Sequence, residues 1–276
     1  VNGSVLLPGE EISVAKKLQP ITEENGYAEG TAYENGQVVP SIGGGVYQIS
    51  STLYNAAILA ELDITERSEH SMTVSYVDPS RDAAIAGDVK DLKFKNNLDS
   101  PIYIDLQTSD SAITATIFGE ETRPANREVE FEAEILGRTD PKTVYVADGS
   151  QPIGYKSGGG DAHTGYSAQL LKIVKVDGEE QSREVFNKSY YSVKNIEYHI
   201  GTASASGEAS AAMHAAVASQ DIGAINAAIS QWNASAVAAR AAEAQAAEAQ
   251  AAEAAAATGD AGAPVEDVLG GAVAAE

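Results

Sequence analysis

Three glycines, a tyrosine and a histidine are the residues of this sequence whose types and spacing could do chemistry. Gly43, Gly44 and Gly45 stand directly before a predicted helix, and glycines let a backbone approach a bound group closely. Tyr47 falls in the first turn of that helix, where unpaired N–H groups and the positive end of the helix dipole favour negative charge. His70 follows on a strand or loop and could act as a base or an orienting partner. The sequence therefore predicts a site at a helix N-terminus.

A predicted helix and several predicted strands would position these residues. The helix is indicated by apolar residues at three- and four-residue spacing, which give it one apolar face. These residues are Val46, Ile49, Leu53, Ala56, Ala57 and Ala60. Alternating apolar residues predict strands at 72–77, 92–94, 102–106 and 113–118, and we expect an antiparallel sheet packed against the helix. The predicted fold class is α+β.

The glycine run belongs to a long motif. Residues 40–56 read PSIGGGVYQISSTLYNA. The blocks that follow are Glu66-Arg67, His70-Ser71, VSYV at 74–77, RDA at 81–83, DLKFKNN at 91–97 and PIYI at 101–104. Together they closely resemble the VanW family, in which a glycine run leads through an aliphatic residue into Cys-Gln and then Ser-Ser-Thr-Leu-Tyr-Asn-Ala. Because so many blocks occur in the same order, the resemblance is specific.

The resemblance implies an activity. The family is associated with bacterial peptidoglycan and glycopeptide resistance, and some members are linked to L,D-transpeptidase chemistry. Its cysteine would form a thioester with a stem peptide and pass the peptide to an acceptor amine. Tyr47 stands at that cysteine's position here, and a phenol, with a pKa near ~10, is bulkier than a thiol and cannot simply replace it. Catalysis therefore stays open, with a pseudoenzyme favoured; its catalytic positions would be Tyr47 and His70.

The expected binding residues come from the same motif. They are Gly43, Gly44, Gly45, Gln48, Ser50, Ser51, Arg67 and Asp82. Tyr47 could line the mouth of a groove and stack on a sugar or peptide, or it could simply pack. His70 could equally be a hydrogen-bonded structural histidine. Arg67 and Asp82 could pair with each other or shape the pocket.

Residues 123–202 are predicted to form a small all-β domain. Apolar runs indicate strands near 129–135, 144–146, 170–176 and 185, and Asp177-Gly178 is a strong hairpin signal. The segment resembles the five-glycine (G-five) domain. The residues that carry this resemblance include Gly154-Tyr155, Gly165-Tyr166, Asp177-Gly178, Tyr190-Tyr191 and Ile200-Gly201-Thr202. The resemblance implies either a spacer or a glycan-binding domain.

The last part of the chain is rich in alanine. The predicted division is a VanW-like domain at 1–120, the β domain at 123–202 and a helical and disordered tail at 203–276, with disorder over 258–276. Five-residue repeats such as 241–245 and 246–250 advance a helix by about 500° per repeat, so their glutamates spread around it and leave no constant apolar face. We therefore expect the packed cores before residue 203 and a solvated helix or tether after it.

Charge and composition exclude several functions. The formal net charge is −22, with 40 acidic and 18 basic residues, which disfavours binding to nucleic-acid phosphates and to anionic lipid headgroups. There is no cysteine, so disulfides and thiolate sites are excluded. The four histidines lack metal-ligand spacing, and Gly158-Gly159-Gly160 lacks the Lys-Ser/Thr of a phosphate loop. No metal and no cofactor are predicted.

The sequence favours a cell-envelope, extracytoplasmic protein that binds peptidoglycan or another cell-wall glycan without cysteine-dependent catalysis. The alternatives are a transpeptidase-like acyl transferase with a non-standard nucleophile and a structural surface or adhesion protein. The chain opens with Val1, so we expect an N-terminally incomplete first domain whose missing part could carry a membrane anchor. The oligomeric state is left open.

Overall fold

The computed structural model describes residues 1–34, 37–109 and 112–259. It has the predicted α+β class, with helices and antiparallel sheets. The elements of the first part of the chain are β1 (Ser4–Leu6), β2 (Glu11–Ser13), α1 (Val14–Leu18), β3 (Glu29–Glu34), β4 (Gln37–Ile42), α2 (Val46–Leu59), β5 (Asp63–Glu66), β6 (Lys93–Lys95), β7 (Ile102–Thr108) and β8 (Ile113–Phe118). Those that follow are β9 (Arg127–Thr139), β10 (Thr143–Pro152), β11 (Lys156–Gly158), β12 (Gly165–Val176), β13 (Glu179–Tyr191), β14 (Ile196–Ala203), α3 (Gly207–Ala218), α4 (Ile222–Trp232) and α5 (Ala234–Gly259).

The chain folds into two compact units that differ from the predicted division. The first unit combines Val1–Thr143 with Gly159–Ile196, and the second combines Val144–Gly158 with the chain from Glu197 onward. The strands β9, β12 and β13 belong to the first unit because they share its core, where Leu170 of β12 is fully buried and Phe131 and Phe186 pack against it. Much of the predicted second domain is thus part of the unit that contains the glycine motif.

Helix α2 is central to the first unit. Leu53, Ala57 and Ile58 form its buried face and share a core with Ile102 and Ile104 of β7. The strands form antiparallel sheets in the orders β1-β7-β8, β2-β6-β5 and β13-β12-β9, and β3 pairs with β4. Helix α2 packs against β8, which is the arrangement that the alternating apolar residues predicted.

Local signals account for most of these elements. The hairpin predicted at Asp177-Gly178 joins β12 to β13, and both residues have positive φ angles, 54° and 81°, as a two-residue turn of this kind requires. The strand predicted at 72–77 is wrong, since that segment has no strand pairing. The residues on either side of it are joined instead: the backbone N–H and the ring Nδ1 of His70 both contact the carboxylate of Asp82.

The second unit has a small core of its own. Strands β10, β14 and β11 form one sheet, and Ile200 of β14 packs with Met213 and Val217 of α3 and Ile225 of α4. The prediction that no core lies beyond residue 203 is therefore wrong: Met213 and Val217 lie one helical turn apart and bury together.

The end of the chain matches the prediction where the structure describes it. In α5, residues 241–253 are exposed, as expected of a solvated alanine-rich helix. Most of the segment predicted to be disordered, from residue 260 to 276, lies outside the described residues. None of the helices in the described ranges combines the length and apolarity that a bilayer span requires.

Candidate functional site

The three glycines before α2 have different surroundings. Gly43 has a φ angle of 74°, and a Cβ atom added there would collide with the side chain of Ile21. A Cβ atom added at Gly44 would lie 2.5 Å from the backbone N and O atoms of Thr31 on β3. Gly45 has open space around the same position. Chain packing thus requires glycine at 43 and 44, and Gly45 alone leaves room beside the start of the helix.

The first turn of α2 uses part of its own hydrogen-bonding capacity. The backbone N–H of Val46 donates to the carbonyl of Gly43 at 3.0 Å, and that of Gln48 donates to the carbonyl of Gly45 at 3.1 Å. These two N–H groups, expected to be unpaired, are therefore occupied by the turn. The positive end of the α2 dipole still lies at this first turn, because the dipole comes from the aligned peptide units of the whole helix.

Tyr47 and His70 lie side by side. Their ring centroids are 5.9 Å apart, and the ring planes meet at 75° in an edge-to-face contact, a favourable geometry for two aromatic rings. Tyr47 is partly exposed, whereas His70 is buried. Within the described residues no hydrogen bond joins the Tyr47 hydroxyl to the imidazole, so the contact between them is aromatic.

Asp82 orients the imidazole of His70. One carboxylate oxygen, Oδ2, lies 2.7 Å from His70 Nδ1 and also accepts the His70 backbone N–H at 2.7 Å. A carboxylate can only accept, so we assign the proton to Nδ1 and leave Nε2 as the ring's acceptor. Nε2 lies 3.5 Å from the Tyr76 hydroxyl. A histidine held in this way by a carboxylate has the orientation of a general base.

Asp82 is itself buried and surrounded by donors. Arg67 reaches its Oδ1 atom through Nη2 at 2.9 Å and its backbone carbonyl through Nε at 2.8 Å. The Tyr191 hydroxyl donates to Oδ1 at 2.5 Å. Burial by itself would raise the pKa of Asp82, but the hydrogen bonds from His70 and the charge of Arg67 outweigh it and hold that pKa below its usual value. Asp82 is thus a carboxylate at neutral pH.

Strand β13 braces this cluster through one of its faces. Asn187, Ser189 and Tyr191 alternate along the strand and so point the same way. Asn187 donates to the carbonyl of Ser80 at 3.2 Å, and Ser189 accepts from Ser80 at 2.9 Å and from Arg67 at 2.8 Å. Tyr191 accepts the Ser80 backbone N–H at 2.6 Å. These residues were missed by sequence reasoning, although polar side chains on one face of a strand are a detectable signal.

Ser50 and Ser51 support the site from within. Both are fully buried. The Ser50 hydroxyl donates to the carbonyl of Ala83 at 2.5 Å, and the Ser51 hydroxyl accepts the Ala83 backbone N–H at 3.1 Å. Their surroundings favour a role in fastening the Asp82 loop to α2 over direct contact with a ligand. Gln48, by contrast, is exposed on the helix surface.

The structure therefore brings together Tyr47, His70, Asp82 and Arg67 of the predicted site residues. Residues 1–118 of the chain match the family model described as VanW like protein. This segment is VanW-like, and it includes the whole glycine motif and the His70–Asp82 pair.

Two curated proteins are similar to the same part of the chain. The uncharacterized protein YoaR of Bacillus subtilis (strain 168) is 31% identical over 121 residues, which are 44% of this chain and 40% of YoaR. The vancomycin B-type resistance protein VanW of Enterococcus faecalis (strain ATCC 700802 / V583) is 27% identical over 127 residues, which are 44% of this chain and 46% of that protein. The chain thus spans less than half the length of either relative.

Solved G5 domains resemble a smaller part of the chain. A structure titled "IgA1 Protease G5 domain structure" is 19% identical and covers 28% of this chain and 94% of its own, with a TM-score of 0.23. "Crystal structure of HP0197-G5" is 19% identical and covers 27% of this chain and 95% of its own, with a TM-score of 0.18. Both structures are five-glycine domains, the domain type that the sequence resembles. At these TM-scores no structural conclusion follows from the likeness.

Proposed function

We propose that this chain is a cell-envelope, extracytoplasmic protein that binds peptidoglycan at the site formed by Tyr47 and His70. The single observation that carries the proposal is the edge-to-face contact of these two rings at 5.9 Å, in a VanW-like segment. The partly exposed phenol offers an amphipathic surface for a sugar or peptide. A phenol is bulkier than the thiol of the family motif and cannot simply replace it, so a binding role suits Tyr47 better than covalent catalysis.

An acyl-transferase role is the second candidate, and the His70–Asp82 pair favours it. Burying a carboxylate together with an arginine and an imidazole costs desolvation free energy, so the cluster adds little stability compared with apolar packing. Ionisable groups arranged in this way are more frequent at functional sites. Under this candidate His70 would act as the base for a nucleophile at position 47, as in Cys–His sites.

The first experiment separates binding from turnover. The chain is incubated with purified sacculi and, in parallel, with soluble muropeptides that are then examined by mass spectrometry. Co-sedimentation with sacculi and an unchanged muropeptide pattern are the expected results. A new cross-link or a covalent adduct that disappears in Tyr47→Phe would support the acyl-transferase instead. Absence of both binding and turnover would contradict both candidates.

A second experiment tests the site directly. Tyr47→Ala removes the exposed ring and should weaken sacculus binding, whereas Tyr155→Ala removes another partly exposed tyrosine and should not. Tyr47→Cys restores the residue of the family motif, and transfer activity in this variant that is lost in Tyr47→Cys/His70→Ala would show that the imidazole is competent as a base. Equal binding by the wild type and Tyr47→Ala would place peptidoglycan elsewhere on the chain.

A further inference from the structure

The outer face of the β1-β7-β8 sheet carries an exposed apolar row. Val5, Tyr103 and Phe118 are directly opposite one another on the three strands, and their exposed fractions are 55%, 41% and 55%. The rings of Tyr103 and Phe118 have centroids 6.2 Å apart and planes tilted by 38°. Two large aromatic side chains that stay in solvent on adjacent strands form a platform for which the described fold provides no covering element.

A polar row runs beside this platform. Asp105 and Thr116 are the next outward pair along β7 and β8, about 7 Å from the aromatic pair. Gln107 donates to Asp105 Oδ2 at 2.9 Å, which fixes the carboxylate and leaves Oδ1 available. Gly3 lies just before β1 and donates its backbone N–H to the carbonyl of Ile104 at 3.0 Å, and a Cβ atom added there would meet nothing within 4 Å. The space beside the start of β1 is therefore open.

This combination matches the surface of a sugar ring. A pyranose has one face of C–H groups, which stacks on aromatic rings, and a rim of hydroxyl groups, which need hydrogen-bond acceptors and donors. Asp105 and Thr116 lie two residues, about 7 Å, along the same strands, so a sugar ring lying on Tyr103 and Phe118 would present its rim to them.

The charge of this sheet face limits which ligands it can bind. Among the described outward side chains of β1, β7 and β8 there is one carboxylate, Asp105, and no cation. An anionic ligand would therefore be repelled, both here and by the net charge of −22. The same repulsion opposes pairing of two copies of the chain through this face. A cation would gain a single surface ion pair with Asp105, which is worth little, whereas an uncharged, hydroxyl-rich ligand can use the aromatic rings and the polar row together.

We propose that the row formed by Val5, Tyr103 and Phe118, together with Asp105 and Thr116, is a binding site for an uncharged glycan strand. This site deepens the proposed function, on which it rests for the kind of glycan, and it uses none of the residues around Tyr47. It would hold the sugar backbone of the polymer, whereas the Tyr47–His70 site would hold the peptide.

The test is a titration of the full chain with the β-1,4-linked tetramer of N-acetylglucosamine, followed by NMR shifts of assigned backbone amides. We expect saturable shifts concentrated on β1, β7 and β8, and at least a tenfold weaker affinity in Tyr103→Ser and in Phe118→Ser. Phe118→Tyr should bind like the wild type because it keeps the ring. Tyr190→Ser is the matched control, since it removes a tyrosine that is 64% exposed on β13.

Several outcomes would overturn this proposal. One is equal affinity in Tyr103→Ser and the wild type when circular dichroism shows both to be folded, and another is the absence of saturable shifts on these strands. Concentration-dependent dimerisation that Phe118→Ser abolishes would assign the face to a second copy instead. Tetramer binding without co-sedimentation on sacculi would leave this site standing and contradict the proposed function alone.

Discussion

The hydroxyl of Tyr191 donates a hydrogen bond of 2.5 Å to the carboxylate of Asp82, across 109 positions of the chain. Burial and the negative charge of Asp82 both raise the pKa of Tyr191, so the phenol keeps its proton and acts as a donor. The same hydroxyl accepts the backbone N–H of Ser80 at 2.6 Å. One side chain of β13 thus fixes both the acid of the His70–Asp82 pair and the loop that carries it.

Tyr191→Phe should therefore lower the free energy of unfolding by about 1–3 kcal/mol. The change keeps the ring but leaves the Ser80 N–H without its acceptor and removes one donor from Asp82. Urea unfolding followed by circular dichroism measures the effect. Tyr190→Phe, one residue earlier and exposed, should change the stability by less than about 0.5 kcal/mol. Similar values for the two variants would show that the buried hydroxyl contributes little.

Asp82→Asn should be more severe. Arg67 has a side chain that is only 7% exposed, and removal of its buried partner leaves only the more exposed Glu69, 3.5 Å away, to compensate its charge, so we expect a loss of about 3 kcal/mol. The matched control is Asp140→Asn, which breaks the exposed ion pair with Arg138 and should alter the stability by under about 0.5 kcal/mol. A small effect at Asp82 would mean that water or Glu69, which already pairs with Arg67, is enough to compensate the charge of Arg67.

Two neighbouring glycines should respond differently to alanine. Gly44→Ala places a Cβ atom against the backbone of Thr31, which cannot move as a side chain could, so we expect a loss of more than about 2 kcal/mol. Gly45→Ala meets open space and should change stability by about 0.5 kcal/mol or less. Thermal unfolding of both variants gives the comparison. If both were tolerated, the close approach of the loop to β3 would not be required for folding.

A thiol introduced by Tyr47→Cys should have a lowered pKa. The start of α2 favours a negative charge, and the His70 imidazole lies beside this position. The pH dependence of alkylation by iodoacetamide reports the pKa, and we expect a midpoint below ~8.5, the ordinary value for cysteine. Ala242→Cys, exposed in the middle of α5 and away from both helix ends, provides the reference. Identical midpoints in the two variants would show that position 47 gives no activation.

Acidification should destabilise the first unit through Glu61. Hydrogen bonds from Arg127, opposed by burial and aided by Lys172, lower the pKa of Glu61 from 4.5 to about 2. A carboxyl whose pKa is depressed in the folded state contributes stability above its ordinary pKa and loses it as the pH falls toward the folded value. Asp82, whose pKa is also lowered, acts in the same direction.

The window for this loss is therefore about pH 4.5 to 2. We expect Glu61 to account for about 1–2 kcal/mol of the lost free energy of unfolding, because partial exposure to solvent weakens its ion pairs with Arg127 and Lys172. Urea unfolding at several pH values in this range should show a shallower dependence in Glu61→Gln than in the wild type. Glu248→Gln, fully exposed on α5, should leave the dependence as it is. An unchanged slope in Glu61→Gln would assign the acid sensitivity to other carboxyls.

The features that could be predicted from sequence are those with local causes. The apolar spacing of α2, the alternation of β7 and β8 and the Asp177-Gly178 turn each depend on residues close together in the chain. The strand expected at 72–77 is absent; this segment is instead part of the connection between His70 and Asp82, which are hydrogen-bonded to each other. The core residues Met213 and Val217 were overlooked because the alanine-rich composition around them hid the spacing.

In the site, too, residues close together in the sequence could be predicted, whereas contacts between distant residues could not. Arg67, His70 and Asp82 lie in one stretch of 16 residues, and each belongs to a motif block, so all three could be predicted as site residues. The contacts from Ser189 and Tyr191 join positions more than a hundred residues apart, and nothing in the alternation of β13 tells which loop its buried face will meet. Long-range packing of this kind is decided by the tertiary structure.

The bracing of Asp82 by β13 has a consequence for how this protein can be divided. The match to the VanW-like family model covers residues 1–118, yet Asp82, which orients His70, accepts a hydrogen bond from Tyr191, and its partner Arg67 donates to Ser189. A truncation after residue 120 would keep every residue of the motif and lose the support of its central carboxylate. The discontinuous first unit contains both the motif and strand β13, so recombination or evolutionary shuffling at the sequence-family boundary would separate Asp82 from the residues that support it.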